Sequence, residues 1–188
     1  MSLAPLILVV GPSGAGKDSL MDGARARLAG DPAFHFARRV VTRPALAGAE
    51  DHDSLTLAEF EVREAAGGFL LSWRAHGLAY GVPAALDHLR RRDQAVVVNV
   101  SRTVVNEART RLRPVGVVVV TAPANVLAAR LAGRGREEGA DITDRLKRAA
   151  PMPAGRDVRV VVNDGSLDQG VQAFLRALKD LAGTEVTV

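Results

Sequence analysis

The chain has 188 residues, enough for one compact domain with a sizeable core, and its 47% hydrophobic and 24% charged content is that of an ordinary globular protein. It has no cysteine, which excludes disulfides, thiolate nucleophiles and thiolate metal centres. The net charge of +4 is spread along the chain without a long basic tract, so small anionic ligands suit it better than nucleic acid. The longest apolar runs, such as "VGVVVVTA", are too short to span a bilayer. With no charged leader region before the first apolar run, a cytoplasmic protein is expected.

Taken in chain order, short β-branched runs alternate with helical patterns, which predicts an α/β fold with a parallel sheet. Leu6–Val10 reads as the first strand and Lys17–Leu28 as the first helix. A strand over Arg38–Thr42 follows, then a helix over Leu57–Ala66 opened by a Thr56–Glu59 capping box. "FLLSWRAHGLAY" (Phe69–Tyr80) reads as a hairpin turning near Gly77. A helix over Pro83–Arg91 ends in "LRRRD" (Leu89–Asp93), read as a solvated terminus. The strands Ala95–Val100, Val115–Thr121 and Val158–Val162 are apolar without alternation, as expected where both faces of a sheet are covered. Between and after them lie helical patterns over Thr103–Leu112, Ala124–Leu131, Ile142–Ala149 and Leu167–Leu181. The last carries the apolar stripe Val171, Phe174, Leu175, Leu178 and Leu181. The Gly- and charge-rich stretch "AGRGREEGAD", about residues 132–142, suits a lid over a site. No linker divides the chain, so a single domain is expected.

The first strand runs into "GPSGAGKDS". Gly11, Pro12, Ser13, Gly14, Ala15, Gly16 and Lys17 match the phosphate-binding pattern G-x-x-x-x-G-K in its proper strand–loop–helix context. The glycines let successive N–H groups converge on phosphate oxygens, the helix N-terminus adds partial positive charge, and Lys17 reaches the β- and γ-phosphates. The pattern then calls for Ser or Thr, but Asp18 follows. A carboxylate is a hard oxygen donor that suits Mg²⁺, directly or through water. Ser19 offers an alternative hydroxyl, and Asp18 also fits as a carboxylate favoured by the helix dipole.

Phosphoryl transfer between two anions needs cations on both sides. Arg134 and Arg136 in the lid, with Arg130 before it and Arg145 after it, supply the donor side. On the acceptor side, Arg38, Arg39 and Arg43 lie in and just after the second strand, and Glu50, Asp51, His52 and Asp53 beyond form a dense polar cluster that fits metal binding, sugar-hydroxyl reading or plain solvation. His52 has no partner His at metal-ligand spacing. His76, between Trp73 and Tyr80, is a candidate substrate contact, whereas His35 and His88 read as surface residues.

Together "GPSGAGK", "VTRP", "AEF", "LLSWRAHGLAYGVP", "LAGRGREEGADITDRL" and "VVND" resemble the guanylate-kinase-like P-loop kinases over nearly the whole chain. The resemblance implies a P-loop-type parallel sheet with helices on both faces, an acceptor-binding insertion at about 34–82 and an arginine-bearing lid. The departures are informative. Ser72 stands where guanylate kinases read the base with Glu, Val82 replaces a hydroxyl, Asn99 replaces an Asp and Leu46 replaces the second Arg of "T-R-x-x-R". Phosphate-binding Arg43 and Tyr80 are kept while guanine reading is stripped away, and losing a base's polar partner costs orders of magnitude in discrimination.

"GPSGAGKDSL", "TRPA", "EDH", "LSWRAHGLAYGVP", "VVNVSR" and "ARLAGRGRE" are similar to the ribose 1,5-bisphosphate phosphokinase branch of phosphonate metabolism, in which Asp after the loop Lys is the ordinary residue. Val100, where that branch often has Gly, is a small departure. This resemblance implies transfer of the γ-phosphoryl of ATP, with Mg²⁺, to ribose 1,5-bisphosphate, forming 5-phosphoribosyl 1-diphosphate (PRPP) and ADP. It implies Lys17, Arg134, Arg136 and Arg145 in catalysis and Asp18 on the metal. Arg39, Arg43 and Tyr80 would grip acceptor phosphates, while Glu50, Asp51, His52, Asn99, Ser101 and Arg102 would read sugar and phosphates. No nucleic acid or membrane partner is implied, and a homodimer is compatible. A kinase of another small phosphorylated acceptor, such as a nucleoside monophosphate, and a non-catalytic binding module stay open as alternatives.

Overall fold

A computed structural model of the chain describes residues 3–43, 52–132 and 151–183. The strands are β1 (Leu6–Val10), β2 (Phe34–Phe36), β3 (Arg39–Val41), β4 (His52–Ser54), β5 (Phe69–Ala75), β6 (Leu78–Pro83), β7 (Ala95–Asn99), β8 (Val115–Thr121) and β9 (Val158–Val162). The helices are α1 (Lys17–Arg27), α2 (Leu57–Ala65), α3 (Asp87–Arg90), α4 (Val105–Arg111), α5 (Ala124–Ala132) and α6 (Leu167–Ala182). Five strands form one sheet in the order β2-β7-β1-β8-β9, with β2–β7 and β8–β9 parallel. The fold is α/β, a parallel sheet with helices on both faces. Every residue of β1 is fully buried, which explains its unbroken apolar sequence. Among the described residues no helix is long and apolar enough to cross a membrane.

The chain divides into two compact units, Met1–Leu8 with Gly30–Val115 and Val9–Ala29 with Gly116–Val188. In the first, β4-β3-β6-β5 form a second sheet. Its hairpin β5–β6 turns at His76 (φ 52°) and Gly77 (φ 73°), the doubly left-handed geometry of a tight two-residue turn. Helix α2 covers one face, where Val40, Phe60 and Ala79 pack with Leu55 and Phe69. Its capping box is formed: Thr56 Oγ1 accepts from the Glu59 N–H, and the Thr56 N–H donates to Glu59.

In the second unit α6 packs on α1, with an ion pair between Arg27 and Asp168. Val171, Phe174 and Leu178 are its buried stripe, and Ser166 with Gln169 closes a capping box at its start. The close approach needs small residues, since a Cβ on Gly23 of α1 would lie 2.5 Å from Val171 Cγ2.

The five expected strands, to within a residue at each end, and the hairpin lie where the sequence patterns put them. The three-residue strands β2 and β4 carry too few residues for a periodic signal. Pro83–Arg91 is a 3₁₀ turn (Ala84–Leu86) followed by the short α3, and Thr103–Leu112 is likewise a 3₁₀ turn before α4. The expected helix Ile142–Ala149 and lid residues 133–142 lie outside the described residues.

The solvated-terminus expectation for "LRRRD" is corrected at Arg90, which is fully buried. Its guanidinium donates to the carbonyls of Ala4 (3.0 Å), Leu112 (2.6 Å) and Pro114 (3.1 Å), and to Asp87 (3.1 Å). Burial lowers its pKa, while Asp87 opposes that shift. Arg91, one residue on, is exposed as expected.

Candidate functional site

The phosphate-binding loop lies wholly in the second unit. Gly11, at the end of β1, has φ 153°, and a Cβ there would sit 2.0 Å from the carbonyl oxygen of Val120 in β8. Gly16 is left-handed (φ 87°) at the N-cap of α1. A Cβ on it would fall 2.4 Å from Asn163 Nδ2 and 3.8 Å from Arg130 Nη1. Only glycine fits both places. Lys17 Nζ donates to the carbonyls of Gly11 and Pro12, each at 3.0 Å, which holds the ammonium over the loop. Asp18 and Ser19 are exposed on the first turn of α1, and Ser13 is exposed at the loop's tip.

Asn163, which the sequence patterns left without a role, and Arg130, expected on the donor side, complete this site. Asn163, just past β9, is 5% exposed, and its Nδ2 donates to the Ala15 carbonyl at 2.8 Å. It braces the loop from outside. Arg130 of α5 has a buried Nη1 with no hydrogen-bond partner among the described residues. A buried guanidinium N–H without an acceptor is costly, and an anionic or polar ligand removes that cost. Both residues line a cleft of about 430 Å³ together with Gly14, Gly16, Ser19 and Leu167, a volume in the small-ligand range. The glycine cradle, Lys17 and Arg130 therefore fit a nucleoside triphosphate. The signal for Asn163 was its place at the carboxyl end of an apolar strand, where parallel sheets bind ligands.

Removing the brace has a predictable cost. Asn163→Ala weakens nucleoside triphosphate binding at this loop by roughly 5- to 15-fold in an equilibrium titration, from the loss of one hydrogen bond and a buried carbonyl left unpaired. Unchanged binding would show that the loop keeps its shape without Asn163.

In the first unit the second sheet collects several acceptor-side candidates by strand parity. Arg39 pairs with His52, Val41 with Tyr80, and Trp73 with Tyr80, so these side chains share the face opposite α2. Trp73 and Tyr80 stack with centroids 5.3 Å apart and planes 5° from parallel. The Arg39 Cζ lies 5.5 Å from the Tyr80 centroid and 6.0 Å from that of Trp73. His52 is buried, its Nε2 3.2 Å from the Arg43 carbonyl oxygen, which Ser54 Oγ also reaches at 2.8 Å. His52 thus braces the turn that carries Arg43.

Other candidates are spread more widely in this unit. His76 is at the exposed hairpin tip. Asn99 ends β7, Ser101 Oγ accepts from the Thr103 N–H at 3.3 Å, and partial burial lowers the pKa of Arg102. Glu50, Asp51, Arg134, Arg136 and Arg145 lie outside the described residues. Ser72 lies on the face toward α2, and Arg74 grips the Glu64 carboxylate at 2.6 and 3.1 Å. Arg74 first, with Ser72 beside it, holds the Glu64 carboxyl below its usual pKa. Val82 is fully buried. Among the described residues no three His, Asp or Glu gather as a metal cluster.

No family model matches the chain. Ribose 1,5-bisphosphate phosphokinase PhnN of Rhodopseudomonas palustris is 56% identical over 173 residues, covering 85% of this chain and 89% of that protein. The Agrobacterium fabrum protein of the same name is 44% identical over 180 residues, covering 95% of this chain and 98% of the relative. A bifunctional ribose 1,5-bisphosphokinase-thymidine phosphorylase of Cupriavidus pinatubonensis is 52% identical over 174 residues. There the match covers 92% of this chain but only 29% of the longer relative. Among solved structures, a guanylate kinase from Anaplasma phagocytophilum has a TM-score of 0.67 at 18% identity, covering 96% of this chain and 87% of that one. A gluconokinase from Sinorhizobium meliloti gives 0.55 at 18% identity, covering 97% and 96%. Both show a shared fold.

Proposed function

Because the chain belongs to the ribose 1,5-bisphosphate phosphokinase family, we propose that it is a phosphotransferase that moves the γ-phosphoryl group of ATP onto the 1-phosphate of ribose 1,5-bisphosphate, yielding PRPP and ADP. The observation that carries the nucleotide half is the glycine cradle faced by Lys17 and by the Nη1 of Arg130, which has no hydrogen-bond partner among the described residues. In this mechanism an oxygen of the 1-phosphate forms the new bond to the γ-phosphorus, and the bond to the ADP oxygen breaks. The attacking oxygen is already anionic, so no strong general base is needed, in keeping with a site built from cations and backbone N–H groups.

Lys17 and the loop N–H groups stabilise the transferring group. Arg130, at the cleft wall, contributes charge or stacking to the bound nucleotide. Arg134, Arg136 and Arg145 close over the phosphates and exclude water. Asp18, a hard oxygen donor on the first turn of α1, would hold Mg²⁺ directly or through water. When bound, the ion neutralises charge on the β- and γ-phosphates. On the acceptor side Arg39, Arg43 and Tyr80 hold phosphates, and Asn99, Ser101 and Arg102 meet the sugar and its substituents. Glu50, Asp51, His52 and His76 complete or support that side. The reaction belongs to soluble metabolism, and the cytoplasm suits it.

A nucleoside monophosphate acceptor is disfavoured by Ser72, which lies on the α2 face away from Trp73 and Tyr80, and by the apolar, buried Val82. A coupled ADP-release assay with ATP and Mg²⁺ separates the possibilities. Ribose 1,5-bisphosphate supports turnover with PRPP as product, while GMP and AMP stay at the acceptor-free rate. Turnover with a nucleotide and none with the ribose bisphosphate would overturn the assignment.

A further inference from the structure

We infer that Trp73 is a positioning residue for the acceptor: stacked on Tyr80, it forms an aromatic floor that fixes the Arg39 guanidinium for the acceptor's phosphate. This rests on the assignment of Arg39 and Tyr80 to the acceptor proposed above.

The floor follows from strand register. Trp73 of β5 stands directly opposite Tyr80 of β6, and Tyr80 directly opposite Val41 of β3, which brings Arg39 beside both rings. The two rings are within 5° of parallel with centroids 5.3 Å apart, one stacked on the other. The Arg39 Cζ lies within 6.0 Å of both centroids, in the range where a cation is drawn to the face of a ring. Trp73 is 8% exposed and Arg39 9%, whereas Tyr80 is partly open.

Burying a guanidinium gives up hydration, and a fold that merely needed filler could place Leu or Met there at lower cost. A guanidinium can meet a ring with the face of its plane. Its N–H donors radiate from the edge, in the fork geometry that matches two phosphate oxygens. An Arg side chain otherwise samples many rotamers, and ordering it only on binding would weaken the grip. Trp73 removes that freedom beforehand. Lysine has no planar fork to stack and align, so Arg39→Lys does not restore the arrangement.

Trp73 is the sole tryptophan of the chain, so intrinsic emission reports on this stack directly. Titration of the unmutated protein with ribose 1,5-bisphosphate changes that emission, saturating near the acceptor KM. In Trp73→Leu the acceptor KM rises at least about tenfold, while the KM for ATP and the thermal midpoint stay close to those of the parent. Trp73→Phe, which keeps a ring, recovers most of the loss. A silent emission titration, an unchanged acceptor KM in Trp73→Leu, equal rises in both KM values, or a Trp73→Phe variant no better than Trp73→Leu each overturns the positioning role. If Trp73→Leu does not fold, the emission titration and Trp73→Phe decide alone. Arg39→Ala, measured alongside, keeps the two levels apart. An unchanged acceptor KM there removes the assignment of Arg39 itself, whereas a large Arg39 effect beside a silent Trp73 removes only the role of Trp73.

Discussion

Replacing Lys17 with alanine lowers kcat for phosphoryl transfer by at least about 100-fold, the scale of losing one preorganised charge at a transition state. The loop itself survives the substitution. Its shape is set by Gly11 against the Val120 carbonyl, by left-handed Gly16 and by the Asn163–Ala15 hydrogen bond, none of which involves the lysine side chain. Lys17 contributes an ammonium at the loop's mouth, now held by the Gly11 and Pro12 carbonyls at 3.0 Å. Lys17→Arg gives little rescue, because a planar fork cannot occupy the space of a compact point charge. Single-turnover measurements with saturating acceptor, beside a melting curve, check the prediction. A kcat within a few-fold of the parent, with unchanged stability, would mean that Lys17 does not meet the transferring group.

Arg90→Met destabilises the fold by about 3–5 kcal/mol, the usual cost of breaking a buried charge network by removing one partner. The carbonyls of Ala4, Leu112 and Pro114 lose a donor, and Asp87 loses its buried partner. For a chain of this size the melting temperature falls by roughly 6–20 °C. Arg91→Ala is the matched control, since Arg91 binds the same Asp87 carboxylate with its side chain 73% exposed. Surface substitutions of that kind change stability by about 0.5 kcal/mol or less. Thermal and urea unfolding of the two variants give the comparison. A small effect at Arg90 would mean that water or rearranged backbone replaces the guanidinium.

The contrast between Arg90 and Arg91 also marks where reading the sequence ran out. Both belong to one basic run, and nothing local separates a charge pointing to water from one pointing to carbonyls far along the chain. Apolar runs did carry information where strands were long enough. The hairpin over Phe69–Tyr80 and the strand Val115–Thr121 are legible because apolar pattern and turn chemistry agree there, whereas β2 and β4 exist through their partners. The phosphate-binding loop was legible because its function demands backbone geometries that glycine spacing records. Asn163 acts on that loop from a distant chain position, and no spacing rule joins it to the loop. The expectation for Asp18 stays compatible with its exposed place on α1.

The second sheet keeps Arg39, Trp73 and Tyr80 on one face, and Val40, Ser72 and Ala79 with the α2 layer on the other. That partition hangs on a turn of two residues, His76 and Gly77. Because strand side chains alternate, one inserted or deleted residue there would exchange the faces of β5, turning Ser72 and Arg74 outward and Trp73 under the helix. Acceptor chemistry in such a scaffold can therefore diverge between lineages by a change in loop length, with every side chain of the pocket left unaltered. Alignments that count only substitutions would pass over that event.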